Sequence, residues 1–186
     1  MRIITGKVRG HKLITPKDWD IRPTSDRVKG SIFNIIQDYL YDAIVVDLFS
    51  GTGNLGIEAL SRGAKKVYFI DANKESINII RKNLHNTNLN DMAEIIHDDA
   101  IFAINKLAIK NVQADIIFID PPYKQGLSQR TLQDIAKKNI LNDFGIIIVE
   151  HDKSEDLPEQ IESLIKFRKK DYGSTGVSFY EEREEK

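Results

Sequence analysis

The chain has 186 residues, 41% of them hydrophobic and 30% charged, with a formal net charge of −1 at pH 7. That suffices for one full core but not two, is too apolar for wholesale disorder, and includes no run of signal-peptide or membrane-spanning form, so a cytoplasmic protein is expected. Cysteine is absent and the four histidines are scattered, which excludes disulfides, thiolate nucleophiles and Cys–zinc sites and leaves no metal-ligand spacing.

The first elements are short and basic. "RIIT" and "HKLIT" flank Gly6 and Gly10 and predict a hairpin, followed by the Pro-bearing loop "KDWDIRPTSD". Residues 1–30 carry eight Lys/Arg (Arg2, Lys7, Arg9, Lys12, Lys17, Arg22, Arg27 and Lys29) against three acids. A basic arm on an otherwise acidic chain predicts an anionic partner held at one end. We read 1–30 as an extension of the domain formed by 31–186. A helix is expected from near Ser25, where Val28, Ile32, Ile35, Ile36 and Leu40 recur at helical spacing.

Strand and helix then alternate. "AIVVDLF" predicts a strand, 54–62 a helix, "KVYFID" a strand and 74–84 a helix. "AEIIH", 100–107, "ADIIFID", 127–138 and "GIIIVE" continue the pattern, and a last helix is expected over 157–164. Continuous Val/Ile runs belong to strands covered by helices on both faces. The tail "FRKKDYGSTGVSFYEE" instead predicts a hairpin. The expected architecture is α/β and Rossmann-like: a mostly parallel seven-stranded sheet with an antiparallel C-terminal strand. Asp47, Asp71, Asp99, Asp120 and Glu150 all fall at or just after predicted strand ends, the rim where such sheets bind ligands. One of Asp98 and Asp99 is also a candidate helix N-cap.

"VVDLFSGTGNLGIEALSRG" holds Gly51-x-Gly53-x-x-Gly56 between a strand and a helix, with Asp71 at the end of the next strand. Glycines admit close approach of backbone to ligand, and the acid is placed to grip ribose hydroxyls. Two enzyme classes fit: an NAD(P)-dependent oxidoreductase and an S-adenosylmethionine (SAM) methyltransferase. Asp47, just before the loop, would repel a pyrophosphate but suits the ammonium of a methionine moiety.

"IIFIDPPYKQG" is the second discriminating stretch. Pro121 and Pro122 stop the strand and stiffen the loop. The exocyclic amine of a nucleobase is a poor nucleophile, because its lone pair is delocalised into the ring. The Asp120 carboxylate and the Pro121 carbonyl would accept its two N–H bonds and turn that lone pair toward a methyl donor, while Tyr123 stacks on the base. Such a loop serves guanine N2 or adenine N6 alike. A binding module without catalysis is the third class, favoured if the glycine loop held no cofactor.

The stretches "RIITGKVRGHKL", "RPTSDRVKGSIFNII", "DLFSGTGNLGIEALSRGA", "DPPY", "VEH" and "YGSTGVSFY" together resemble the RsmD-like family, bacterial methyltransferases acting on the N2 amine of a guanine in 16S ribosomal RNA. The resemblance implies a SAM site of Asp47, Phe49, Gly51, Gly53 and Gly56, with Asp71 on the ribose and Asp99 near the adenine amine. It implies Asp120, Pro121 and Tyr123 at the target amine, with Arg22, Thr24 and Arg27 lining the cleft. Lys7, Arg9 and Lys12 of the basic arm are the expected RNA contacts. The family usually has Glu at Asp71 and Gly at Asp98, and His151 matches its pattern with no role assigned. The implied partner is ribosomal RNA or an assembling small ribosomal subunit, and a monomer without membrane or metal is expected.

Overall fold

The structure, a computed structural model, describes residues 1–16, 26–122 and 126–183. One sheet organises the chain: β1 (Ile44–Leu48), β2 (Lys66–Asp71), β3 (Ala93–His97), β4 (Ala114–Ile119), β5 (Leu141–Asp152), β6 (Gln160–Ile161), β7 (Leu164–Tyr172) and β8 (Thr175–Glu182). Their order is β3-β2-β1-β4-β5-β8-β7-β6. Strands β1 to β5 pair in parallel, and β8, β7 and β6 are added antiparallel, each to its neighbour. Chain order reverses between β1 and β4, so the loops that follow these two strands splay apart and leave a crevice at the carboxyl rim.

Helices α1 (Asp26–Ile35), α2 (Asn54–Ser61) and α3 (Lys74–Thr87) cover one face. Helices α4 (Ala100–Ile109) and α5 (Leu127–Lys138) cover the other. Side chains alternate along each strand, so β1 sends Val45 into the first core and Val46 and Leu48 into the second. Ile116, Ile117, Phe118 and Ile119 of β4 are all fully buried, which is why the strand reads as an apolar run after Asp115.

The tail hairpin forms as β7 and β8. Two expectations need correcting. The sheet has eight strands rather than seven, and no helix covers 157–164. Leu157, Ile161 and Leu164 are buried as their helical spacing suggested, but Ile161 and Leu164 face each other across a tight turn at Glu162, whose φ is 52°. So short a stretch cannot sustain a helix by its own propensity, and pairing with β7 decides its conformation. At the other terminus the predicted hairpin reduces to one bridge, Arg2 to Lys12. It is closed by Ile3 N–H to His11 O (3.0 Å) and Gly10 N–H to Ile3 O (2.8 Å). Among the described residues no helix is long and apolar enough to cross a membrane.

Candidate active site

The glycine loop begins one residue beyond β1. Phe49 takes a left-handed φ of 63°, followed by Gly51 at 57° and Gly53 at 79°, so the chain turns sharply from strand into α2. A phenylalanine held there stores roughly 1–3 kcal/mol of strain. Ser50 clamps the turn: its Oγ–H donates to Asp47 O (2.6 Å) and its Oγ accepts from Ile70 N–H (2.9 Å), tying the ends of β1 and β2. Gly56 serves packing. A Cβ there would stand 2.3 Å from the Phe69 ring, so α2 could not lie against β2.

Asp47 is 2% exposed, and its Oδ2 accepts one backbone hydrogen bond, from Gly56 N–H (2.9 Å). Burial pushes its carboxyl up to about 7; the Gly56 bond opposes this and the charge of Asp71 adds to it. A cation docking beside it would restore the charged form. Asp71, at the end of β2, receives Gly51 N–H on Oδ2 and Asn73 N–H on Oδ1, each at 2.8 Å. It thus pins the glycine loop while each oxygen keeps a lone pair for a hydroxyl donor.

Of the next two acids, Asp99 is the N-cap of α4, its Oδ1 accepting from Ile101 N–H (2.9 Å). Asp98 instead pairs with Lys106 at 2.5 Å, which holds its carboxyl below the usual range. Across the strand-order reversal, Leu48 of β1 is level with Ile119 of β4. Asp120 follows directly, half-buried, then buried Pro121 and exposed Pro122. The glycine loop and the Asp120–Pro121 turn therefore leave neighbouring strands, about 4.8 Å apart, on the rim where chain order reverses. Tyr123, Arg22 and Thr24 lie outside the described residues. Such a crevice offers a buried anion for a cation, an acceptor for hydroxyls, and a carboxylate with a carbonyl for an amine.

Residues 1–181 match the family model described as Conserved hypothetical protein 95. The chain belongs to that family. Among its relatives, YlbH of Bacillus subtilis (strain 168) is 39% identical over 183 residues, 98% of this chain and 100% of that one. The Escherichia coli (strain K12) protein named Ribosomal RNA small subunit methyltransferase D is 33% identical, covering 97% and 89%. The solved structure of Escherichia coli yhhF superposes with a TM-score of 0.86 at 30% identity, over 100% and 99% of the two chains. An RNA methyltransferase from Salinibacter ruber, solved with S-adenosyl-L-homocysteine, has the same fold at 17% identity (TM-score 0.68, 88% and 95% covered).

Within this family member the basic arm divides in two. Lys7, Arg9 and Lys12 are exposed, as is Arg27 in the first turn of α1. Lys29 is not part of that surface. It is 0% exposed, and its Nζ donates to Arg2 O and Asn54 Oδ1 (2.7 Å each) and pairs with buried Glu58 at 3.1 Å. Glu58 also accepts from Ile4 N–H (2.8 Å), Thr5 N–H (3.0 Å) and Arg62 Nε–H (2.8 Å). The arm is therefore fastened to α2. Its bend is fixed by Lys7 N–H to Ser61 O (2.8 Å), at the end of α2 away from the crevice.

His151 is 1% exposed. Its Nδ1–H donates to Asp152 O (2.8 Å) and its Nε2 accepts from Ser178 Oγ–H (2.9 Å), while Gly176 opposite leaves room for the ring. Burial lowers its pKa and keeps it neutral, so it packs the β5–β8 seam. Sequence reasoning missed Asn83, whose amide holds Ile14 N–H (2.8 Å) and Thr52 O (2.9 Å) together, joining arm to glycine loop. Its signal was a lone amide on the apolar face of α3, beside Ile79, Ile80 and Leu84. Among the described residues no three His, Asp or Glu are placed to hold a metal ion.

Proposed function

We propose that this protein is a SAM-dependent methyltransferase that modifies the N2 amine of a guanine in small-subunit ribosomal RNA. One observation carries the reading: the turn Asp120–Pro121 leaves β4 beside the glycine loop that leaves β1, at the reversal of strand order. The relatives' names, which speak of ribosomal RNA methyltransferases, support the substrate class.

The residues of the crevice suit the cofactor. Asp47 faces its ammonium; Phe49 and the Gly51–Gly53 turn line it; Gly56 holds α2 close; Asp71 takes ribose hydroxyls through its remaining lone pairs. Asp99 reaches the adenine amine with the oxygen its cap bond leaves, whereas the charge of Asp98 is taken up by Lys106. Bound SAM supplies an activated methyl group on a sulfonium.

The chain's own task is then to prepare the nucleophile. Asp120 and the Pro121 carbonyl accept the N–H bonds of the target amine, so that its lone pair points at the methyl group rather than into the ring. The two prolines fix both acceptors in advance, and Tyr123 stacks on the extracted base. Arg22, Thr24 and Arg27 line the cleft, and Lys7, Arg9 and Lys12 contact RNA outside it. Guanine is separated from adenine by O6 and N1–H, which a site built for one base pairs and the other leaves unpaired, a discrimination that reaches about 10⁴-fold. The test is to incubate the protein with methyl-labelled SAM and unmodified small-subunit ribosomal RNA, free and within particles, with duplex DNA as control. N2-methylguanosine is the expected labelled nucleoside; recovery of N6-methyladenine would overturn the assignment.

A further inference from the structure

We infer that the outer edge of β7 is a second RNA-binding surface, which grips the phosphate backbone beside the crevice through Arg168, Lys169 and Lys170. β6 pairs with β7 only at Leu164 and Ile165, so beyond Lys166 this edge has no strand partner among the described residues. Residues 167–171 are all exposed. Arg168, Lys169 and Lys170 make no ion pair among the described residues, whereas Asp171, the one acid in the run, is paired with Lys153 at 3.5 Å.

Register places these cations. Lys170 is level with Val177 of β8, which is level with Glu150 of β5; Val149 of β5 is level with Ile119 of β4. Lys170 thus stands in the same row as Asp120, with Lys169 and Arg168 one and two rows below. β7 runs in the same direction as β4, being antiparallel to β8, which is antiparallel to β5. Three strand steps separate them, roughly 14 Å, a distance that a nucleic acid seated over the crevice bridges. Arg168 and Lys170 pair with Phe179 and Val177, and Lys169 with Ser178, so the cations project from both sides of the edge. Tyr172 is tied to Ser31 of α1 by a hydrogen bond between their hydroxyls, which fixes the rim end of the strand.

Lysines on a free edge also prevent strand-to-strand association, but that role has no need of a particular end. Here charge is segregated: the cations lie toward the rim, while Glu181 and Glu182 face Ile165 and Leu164 at the far end. The exposed Lys7 and Arg9 sit instead at the bend of the arm, about 10 Å along α2 from the glycine loop. Lys170, by contrast, stands level with Asp120 at the rim.

The inference rests on the RNA reading above, and the experiment separates the two. The triple variant Arg168→Ala/Lys169→Ala/Lys170→Ala is compared with wild type and with a control, Arg81→Ala/Lys82→Ala/Lys138→Ala, which removes equal charge elsewhere. Affinity for unmodified small-subunit ribosomal RNA is measured against salt, alongside SAM affinity, methyl transfer and light scattering. The β7 variant is expected to bind RNA roughly tenfold more weakly, with its log–log salt slope shallower by about 2, as three lost phosphate contacts require. Its SAM affinity should equal that of wild type, and the loss in activity should appear in KM. A slope unchanged in the β7 variant, an equal change in the control, self-association of the β7 variant without a change in slope, or no RNA binding by wild type each overturns the surface. Slope-sensitive RNA binding without methyl transfer leaves the surface standing and overturns the function proposed above.

Discussion

Asp47, near the end of β1, and Glu58, in the middle of α2, are both carboxylates withdrawn from water, yet their surroundings differ in kind. Glu58 has its acceptor capacity filled by Lys29, Arg62 and two backbone N–H groups, all from within the chain. Asp47 has one backbone donor and a second acid, Asp71, for a neighbour. A buried acid that is fully partnered does its work by holding elements together. A buried acid left short of partners, at the rim of a crevice, is set up for a partner that arrives from outside.

The sharpest way to break this contrast is through Glu58. Glu58→Ala should leave Lys29 buried in the core without its counter-ion and free Ile4 and Thr5. The expected cost is about 3–5 kcal/mol of stability in chemical denaturation, with SAM affinity, measured well below the unfolding midpoint, within a few-fold of wild type. A variant as stable as wild type that has lost SAM binding would exchange the roles of the two acids.

At the crevice the effects should fall on ligands instead. Asp120→Ala is expected to lower turnover by at least ~10²-fold, the scale of losing one pre-organised electrostatic partner, while calorimetry finds SAM affinity nearly unchanged. Turnover within a few-fold of wild type would remove Asp120 from the chemistry. Asp71→Ala should weaken SAM binding by ~10- to 100-fold, since a charged acceptor of hydroxyls contributes roughly 1.5–3 kcal/mol and its bond to Gly51 N–H goes too. Asp71→Glu should be tolerated. Equal affinities for wild type and the alanine variant would place the ribose elsewhere.

The same contrast explains what the sequence reveals and conceals. Parallel strands and their covering helices are legible because burial on both faces leaves unbroken Val/Ile runs, and Gly51, Gly53 and Asp120 stand at their ends. The tail hairpin announces itself through Gly173 and Gly176. The segment 157–164 misleads because Leu157, Ile161 and Leu164 satisfy helical spacing, while the deciding interaction is a pairing with β7. Lys29 misleads for a similar reason: by composition it counts as surface charge, and only its partner Glu58, far along the chain, draws it inside. Asp47 is legible as a candidate from its place before the glycine loop. Its isolation from other donors, which gives it its chemistry, is visible only in three dimensions.

Stability offers a smaller test of that isolation. The folded value of Asp47, about 7, lies above the ordinary carboxylate value of the unfolded chain. Between roughly pH 4 and 7 the folded protein therefore holds a proton that the unfolded chain has released, and this group removes stability as pH rises through that window. Asp47→Asn keeps an acceptor for Gly56 N–H without the charge. In the absence of ligand it should raise the thermal midpoint at pH 8, by the equivalent of about 4 kcal/mol, and by less than half as much at pH 5. A lower midpoint at pH 8 would mean that the charge is already compensated.

The most direct measurement is SAM affinity as a function of pH, for wild type and Asp47→Asn, by isothermal titration calorimetry between pH 5.5 and 8.5. A cation that binds beside the Asp47 carboxylate must displace its proton. The wild-type Kd should accordingly be level above pH 7 and weaken toward tenfold per pH unit below it, with proton release on binding. Asp47→Asn should bind weakly at every pH, without that dependence. A wild-type Kd that stays flat from pH 8 to pH 6, or an Asn variant that matches it, would contradict the assignment of Asp47 as the anchor of the cofactor's ammonium.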